Sequence, residues 1–210
     1  MQEIKGAIFD LDGVIVDTAK FHYIAWKNLA DKLGFNFTEK HNERLKGVSR
    51  VRSLEILLEI GGLTFTEEEQ AVLREEKNDE YVALIKNIDE SELLPGAKAY
   101  IEQLRANGVK IALGSASKNA GMILEGLNII DLFDVIIDGN KVAKAKPDPE
   151  VFLKAAEGLG LAPDDCVVFE DAEAGIEAAK NAGMRTIGIG TKEQLPEADE
   201  VVTNLAMMLA

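Results

Sequence analysis

The segment Ile4-Lys5-Gly6-Ala7-Ile8-Phe9-Asp10-Leu11-Asp12-Gly13, residues 4–13, decides the fold. Its apolar run from Ile4 to Phe9 stops abruptly at two carboxylates with a glycine behind them, the pattern of a buried strand that ends in a polar loop. Side chains two apart on an extended chain point to the same side, so Asp10 and Asp12 would share one small volume. Like charges that close need a cation between them or a proton on one of them, and a hard, oxygen-seeking ion such as Mg²⁺ meets the first need. A carboxylate there can also attack phosphorus, with its neighbour as acid or base. Asp-x-Asp pairs also occur in solvated turns, so this one gains meaning only from what the rest of the chain sets beside it.

Downstream of Asp17 the period changes. Phe21, Ala25, Leu29 and Leu33 recur at helical spacing up to Gly34, a C-terminal cap. Thr38 to Lys46 reads as a short polar helix, and Val51 to Ile60 carries Leu54, Leu57 and Leu58 on one face. Thr66 with Glu69 makes a capping box for a long helix through Ile85. None of this region reads as a strand. Acidic, small residues at Asp89, Glu90 and Ser91, then Pro95-Gly96, close the helical block.

From residue 97 helix and strand alternate. Tyr100, Ile101 and Leu104 mark a helix, Val109 to Leu113 a strand, Asn119 to Leu127 a helix and Phe133 to Ile137 a strand. A helix starts at Asp148-Pro149; Val167 to Phe169 is a strand, Ala172 to Ala182 a helix ended by Gly183, and Thr186 to Ile189 a strand. Such alternation predicts an α/β, Rossmann-like parallel sheet covered by helices, with ligands beyond the carboxyl ends of the strands. The expected division is a core from residues 1 to 16 and 92 to 210 with an all-helical insertion from 17 to 91.

Composition narrows the class. The chain has 210 residues, 47% hydrophobic and 29% charged, as in an ordinary globular protein. No apolar run approaches the roughly 18 residues of a membrane span, and the start lacks a signal peptide's apolar stretch, so a cytoplasmic protein is expected. The formal charge of −14 would repel a nucleic-acid backbone, and equally an anionic substrate nearing the average surface, so any phosphate site must be a local cationic pocket. The single cysteine, Cys166, precedes an apolar run and reads as a small core residue.

Three further strand ends carry chemistry. Ser115, Ala116, Ser117, Lys118 and Asn119 follow one strand, where hydroxyls and free amides at a helix start can cradle phosphate or simply cap the helix. Lys146 precedes Pro147 in a loop, where an ammonium can neutralise phosphoryl oxygens or merely be solvated. Glu170 and Asp171 close another strand, where they can cap a helix or hold a metal. Together with Asp10 and Asp12 they form the parts list of phosphoryl transfer: nucleophile, metal site and cationic clamp.

In order and spacing, Ile8-Phe9-Asp10-Leu11-Asp12-Gly13-Val14, Gly114-Ser115-Ala116-Ser117-Lys118-Asn119, Lys146-Pro147-Asp148-Pro149 and Phe169-Glu170-Asp171 resemble the four motifs of the haloacid dehalogenase superfamily. Within it, Asp17-Thr18 through His22 and Trp26, the segment Lys46-Gly47-Val48-Ser49-Arg50 with Ser53, and Lys77-Asn78-Asp79 are similar to the beta-phosphoglucomutase branch. The resemblance covers essentially the whole chain. It departs at Gly114, where relatives more often carry alanine, and in lacking a long final helix.

The resemblance implies that Asp10 is nucleophile and metal ligand, and that Asp12 is the general acid and base and also gives its backbone carbonyl to Mg²⁺. It implies that Glu170 and Asp171 complete the magnesium site, while Ser115, the Ala116 amide and Lys146 hold the transferring phosphoryl group. Lys46, Gly47, Val48, Ser49 and Arg50, with Ser117, Lys118 and Asn119, would hold the sugar and its other phosphate. His22, Trp26, Ser53 and Lys77 would line the sugar side, His22 positioning Asp12 as the helical insertion closes. The implied reaction is isomerisation of beta-glucose 1-phosphate to glucose 6-phosphate through an aspartyl-phosphate and beta-glucose 1,6-bisphosphate, by a monomer with no nucleic-acid or membrane partner. A sugar-phosphate phosphatase is the alternative, because water replacing the sugar hydroxyl needs no new catalytic residue. A non-catalytic phosphate-binding module is a third reading, against which Asp12 argues, since mere acceptance of phosphate needs no general acid.

Overall fold

The computed structural model describes residues 4–45 and 48–209. Lys46 and Gly47, expected to hold the sugar and its second phosphate, therefore lie outside the described residues. The chain divides into two compact units, Thr18–Asn87 and the pair Met1–Asp17 with Ile88–Ala210.

The first of these units is helical among its described residues: α1 (Ala19–Lys32), α2 (Glu39–Asn42), α3 (Arg50–Gly61) and α4 (Glu67–Ile85). Apolar residues at helical spacing bring Trp26, Leu29 and Ala30 of α1, Leu54, Leu57 and Leu58 of α3 and Leu73 of α4 into one buried cluster. The ends follow local chemistry. Gly34, at φ +89°, takes the left-handed turn after α1 that a side chain would resist. Thr66 and Glu69 form the expected capping box, Glu69 Oε2 accepting the Thr66 N–H at 2.8 Å and Thr66 Oγ1 accepting the Glu69 N–H at 3.3 Å.

The second unit is a six-stranded parallel sheet built from β1 (Gly6–Phe9), β2 (Lys110–Gly114), β3 (Val135–Ile137), β4 (Cys166–Glu170), β5 (Arg185–Ile189) and β6 (Glu200–Val202), in the order β3-β2-β1-β4-β5-β6. Its helices are α5 (Ala97–Ala106), α6 (Ala120–Gly126), α7 (Glu150–Leu159) and α8 (Glu173–Asn181). Successive side chains of a strand face opposite ways, so Ile8 joins Val151, Phe152 and Ala155 of α7 and Ala178 of α8. Phe9, on the other face, stacks on Phe169 at 4.5 Å, and Tyr100 of α5 meets the Phe169 ring edge-on at 5.7 Å. Such ring pairs add about 0.5–1.5 kcal/mol each beyond area burial. Covered on both faces and paired on both edges, β1 is buried along its whole length.

This topology positions the chemistry. β1 pairs with β2 on one side and β4 on the other, and the order reverses between them, which makes the carboxyl end of β1 the switch point where ligands bind in such sheets. β6 was not anticipated from the sequence. Gly114 has a packing reason: a Cβ there would meet Phe152 Cδ1 at 2.9 Å. No helix among the described residues is long and apolar enough to cross a membrane.

Candidate active site

Asp10 is the first residue beyond β1, and its N–H donates to the Phe169 carbonyl at 2.9 Å, which fixes it beside the end of β4. Glu170 ends β4 and Asp171 follows it. One carboxylate oxygen each from Asp10, Glu170 and Asp171 can be chosen so that all three lie within 4.8 Å of one another. Oxygen-only donors at that spacing, from residues that are largely buried, fit a hard divalent cation such as Mg²⁺. The Asp12 side chain does not join this trio.

Electrostatics show how crowded the three carboxylates are. Burial first, then Glu170, raises the Asp10 pKa to about 6 even though Lys146 opposes the shift. Burial, then Glu170, Asp10 and Asp12, push Asp171 up to about 9. Lys146 relieves part of this repulsion. Its ammonium lies 2.7 Å from Asp10 Oδ1 and 2.7 Å from Glu170 Oε2. Burial alone would lower the Lys146 pKa, but the two carboxylates more than reverse that and hold it charged.

Two glycines allow the carboxylates to sit where they do. A Cβ on Gly13 would fall 2.0 Å from Asp171 Oδ2, and one on Gly175, in the first turn of α8, would fall 1.9 Å from Glu170 Cδ. Gly175 was missed in the sequence, where it reads as one more small residue in an alanine-rich helix.

Ser115 follows β2, buried, its N–H donating to the Ile137 carbonyl at 2.9 Å. Its Oγ accepts the Ser117 N–H at 3.1 Å, and Ser117 Oγ accepts the Asn119 N–H at 3.2 Å. These serine turns fold the loop tightly before α6, with Ala116 and Lys118 exposed. Lys146 comes from the loop before α7, ahead of a cis peptide bond to Pro147.

The helical unit gathers a second set. Lys77 of α4 is 3% exposed, with its Nζ 2.8 Å from His22 Nδ1. The same ammonium lies 4.6 Å from the Trp26 ring centre and 4.8 Å from that of Tyr81, and His22 stacks on Tyr81 at 4.0 Å. An ammonium only donates, so His22 Nδ1 accepts and the ring is neutral. Accordingly, burial, with Lys77 and Arg50 beside it, drives the His22 pKa well below the usual value. Tyr81 was missed, although it stands four residues from Lys77 and shares its helix face. Trp26 serves two ends, as part of the hydrophobic cluster and as a face for Lys77. Ser53 is buried, and Val48 packs against the same cluster as Trp26. Ser49 caps α3 by accepting the Arg52 N–H at 3.2 Å. Arg50, in the first turn, donates to Asn78 Oδ1 at 2.8 Å and pairs with Glu75 at 3.6 Å.

Residues 4–183 match the family described as haloacid dehalogenase-like hydrolase. The chain is 47% identical to the beta-phosphoglucomutase of Bacillus subtilis, over 95% of this chain and 89% of that one. It is 34% identical to the phosphorylated carbohydrates phosphatase of Thermotoga maritima, over 88% of this chain and 84% of the relative. Its structure superposes on the crystal structure of beta-phosphoglucomutase from Clostridium difficile with a TM-score of 0.93 and 45% identity, covering 99% and 94% of the two chains.

Proposed function

The chain belongs to the haloacid dehalogenase-like hydrolase family, and from that premise we propose that it is a beta-phosphoglucomutase that converts beta-glucose 1-phosphate to glucose 6-phosphate. Likeness to mutases along nearly the full length carries the substrate and reaction. The carboxylates and ammonium gathered at the sheet's switch point support the chemistry.

In this reading Asp10, phosphorylated on one carboxylate oxygen, gives its phosphoryl group to the sugar 6-hydroxyl, and Asp12 takes the hydroxyl proton. The product of that half-reaction is beta-glucose 1,6-bisphosphate. With the bisphosphate reversed, the Asp10 carboxylate attacks phosphorus at C1, the P–O bond to the anomeric oxygen breaks, and Asp12 returns the proton to that oxygen. Glucose 6-phosphate leaves and Asp10 is phosphorylated again. Ser115, the Ala116 amide and Lys146 hold the phosphoryl oxygens, with Lys146 supplying fixed positive charge where negative charge concentrates. Ser117, Lys118 and Asn119, with Lys46, Gly47, Val48, Ser49 and Arg50, hold the sugar and its idle phosphate, while His22, Trp26, Ser53 and Lys77 line the sugar side. Mg²⁺, held by the carboxylates of Asp10, Glu170 and Asp171 and the backbone carbonyl of Asp12, would supply charge neutralisation to the phosphoryl group.

The test is a phosphorus NMR time course of the purified protein with Mg²⁺, beta-glucose 1-phosphate and a trace of the bisphosphate. Glucose 6-phosphate should accumulate with little free phosphate. Free phosphate as the main product would assign a sugar-phosphate phosphatase to the same residues.

A further inference from the structure

Lys146 is delivered by the long loop from Asp138 to Pro149, between β3 and α7. A loop is by default among the least fixed parts of a core, yet this ammonium must stay within hydrogen-bond range of two buried carboxylates. Glu150, the first residue of α7, reaches back to this loop. Its Oε1 accepts the Ala143 N–H at 3.0 Å, and its Oε2 accepts the Lys144 N–H at 2.8 Å. Lys154, one turn along α7, pairs with Oε1 at 2.7 Å and donates to the Lys141 carbonyl at 2.7 Å. Asp148 Oδ1 accepts the Glu150 N–H at 3.0 Å, and the Asn181 amide donates to the Pro147 carbonyl at 3.3 Å. The segment ending at Lys146 is thus folded back and tied to the start of α7.

An acidic residue in a first helical turn commonly does no more than complement the helix dipole from solvent. Glu150 instead turns its carboxylate onto two loop N–H groups, and its side chain is only 20% exposed. Lys154 and those two amides hold its pKa down to about 2, so the charge persists.

We propose that Glu150 is a positioning residue: its carboxylate sets the 143–146 segment so that the Lys146 ammonium meets Asp10, Glu170 and the phosphoryl group. The inference rests on the reading of Lys146 as a phosphoryl clamp. A group that orients a binding side chain from behind typically contributes about tenfold or more, and its effect should vanish when the side chain it orients is removed.

Binding of inorganic phosphate, measured by calorimetry at saturating Mg²⁺, tests this without requiring turnover. Glu150→Ala should weaken phosphate binding by about tenfold, yet by less than about twofold when added to Lys146→Met. Glu150→Gln keeps a carbonyl acceptor for one amide but loses the Lys154 pair, and it should show the same dependence on Lys146 at about threefold. It carries the comparison alone if the alanine variant does not fold. Wild-type affinity in the Glu150 variants, or an equal loss in both Lys146 backgrounds, would overturn the inference. Unchanged phosphate binding in Lys146→Met itself would instead overturn the clamp reading, and the inference with it.

Discussion

The Lys146 ammonium stands 2.7 Å from Asp10 Oδ1 and 2.7 Å from Glu170 Oε2, so a single cation from a loop is shared by residues at the ends of adjacent strands. All three side chains are at most 10% exposed. Removing one partner of such a buried set leaves uncompensated charge, which costs about 3–5 kcal/mol. Lys146→Met should therefore lower the melting temperature of the metal-free protein. It should also lower kcat by about a hundredfold, the loss typical of one donor aimed at developing negative charge. Thermal denaturation and steady-state kinetics on the same preparation check both.

The absent side chain of Gly175 makes a second prediction. Its Cβ would lie 1.9 Å from Glu170 Cδ, so Gly175→Ala must displace the Glu170 carboxylate. Mg²⁺ affinity by calorimetry should fall by about tenfold or more. Gly121, in α6, has nothing within 4 Å of such a Cβ. Gly121→Ala should leave Mg²⁺ binding alone and raise stability by about 0.5–1 kcal/mol, as alanine replaces glycine inside a helix.

His22 gives the helical unit a pH dependence. Its pKa is lowered by burial, then by Lys77 and Arg50, so below the ordinary value of about 6.5 the unfolded chain takes up a proton that the folded one refuses. Its contribution to stability is thus present above about pH 6.5 and is lost as the pH falls toward the depressed folded value. The melting temperature of wild type relative to His22→Gln should decline between about pH 7.5 and about pH 5.5. A difference that grows on acidification would mean that the ring is charged in the folded protein.

Arg50, proposed above to hold the idle phosphate, gives a test that tells the two phosphates apart. A guanidinium grips phosphate oxygens through paired hydrogen bonds and keeps its charge, and here it is already partly ordered by Asn78 at 2.8 Å. Arg50→Ala should lower mutase kcat/KM by roughly two decades. Hydrolysis of acetyl phosphate, which has no second phosphate, should change by less than about threefold. Equal losses in both assays would assign Arg50 to the fold or to the nearer phosphate.

What the sequence disclosed follows from the range of each signal. β1 and its carboxylates were legible because an apolar run ending in Asp10 and Asp12 is a local pattern, and the Thr66–Glu69 capping box is local as well. β6 was not legible. Three residues cannot show alternation, and the strand is set by distant partners: Gly188 pairs with Val201, and Asp199 Oδ2 accepts the Thr186 N–H at 2.7 Å and its hydroxyl at 2.9 Å. Gly175 escaped as part of the site, and Gly13 was read only as the glycine behind the carboxylates, because sequence does not show what would face a missing Cβ. Glu150 stands directly after Pro149 in the chain, but its role depends on a loop folding back, which no spacing reveals.

In the proposed reaction a phosphoryl group resides on Asp10 and passes to a sugar rather than to water. Radiolabelled beta-glucose 1,6-bisphosphate, mixed with the enzyme and quenched in acid within one turnover, tests it directly. A hydroxylamine-labile label should appear on the peptide containing Asp10 and be absent from Asp10→Asn. On a chase with unlabelled beta-glucose 1-phosphate, that label should move into the bisphosphate. Label on another residue, or discharge of the Asp10 label mainly to free phosphate in the presence of the sugar phosphate, would contradict it.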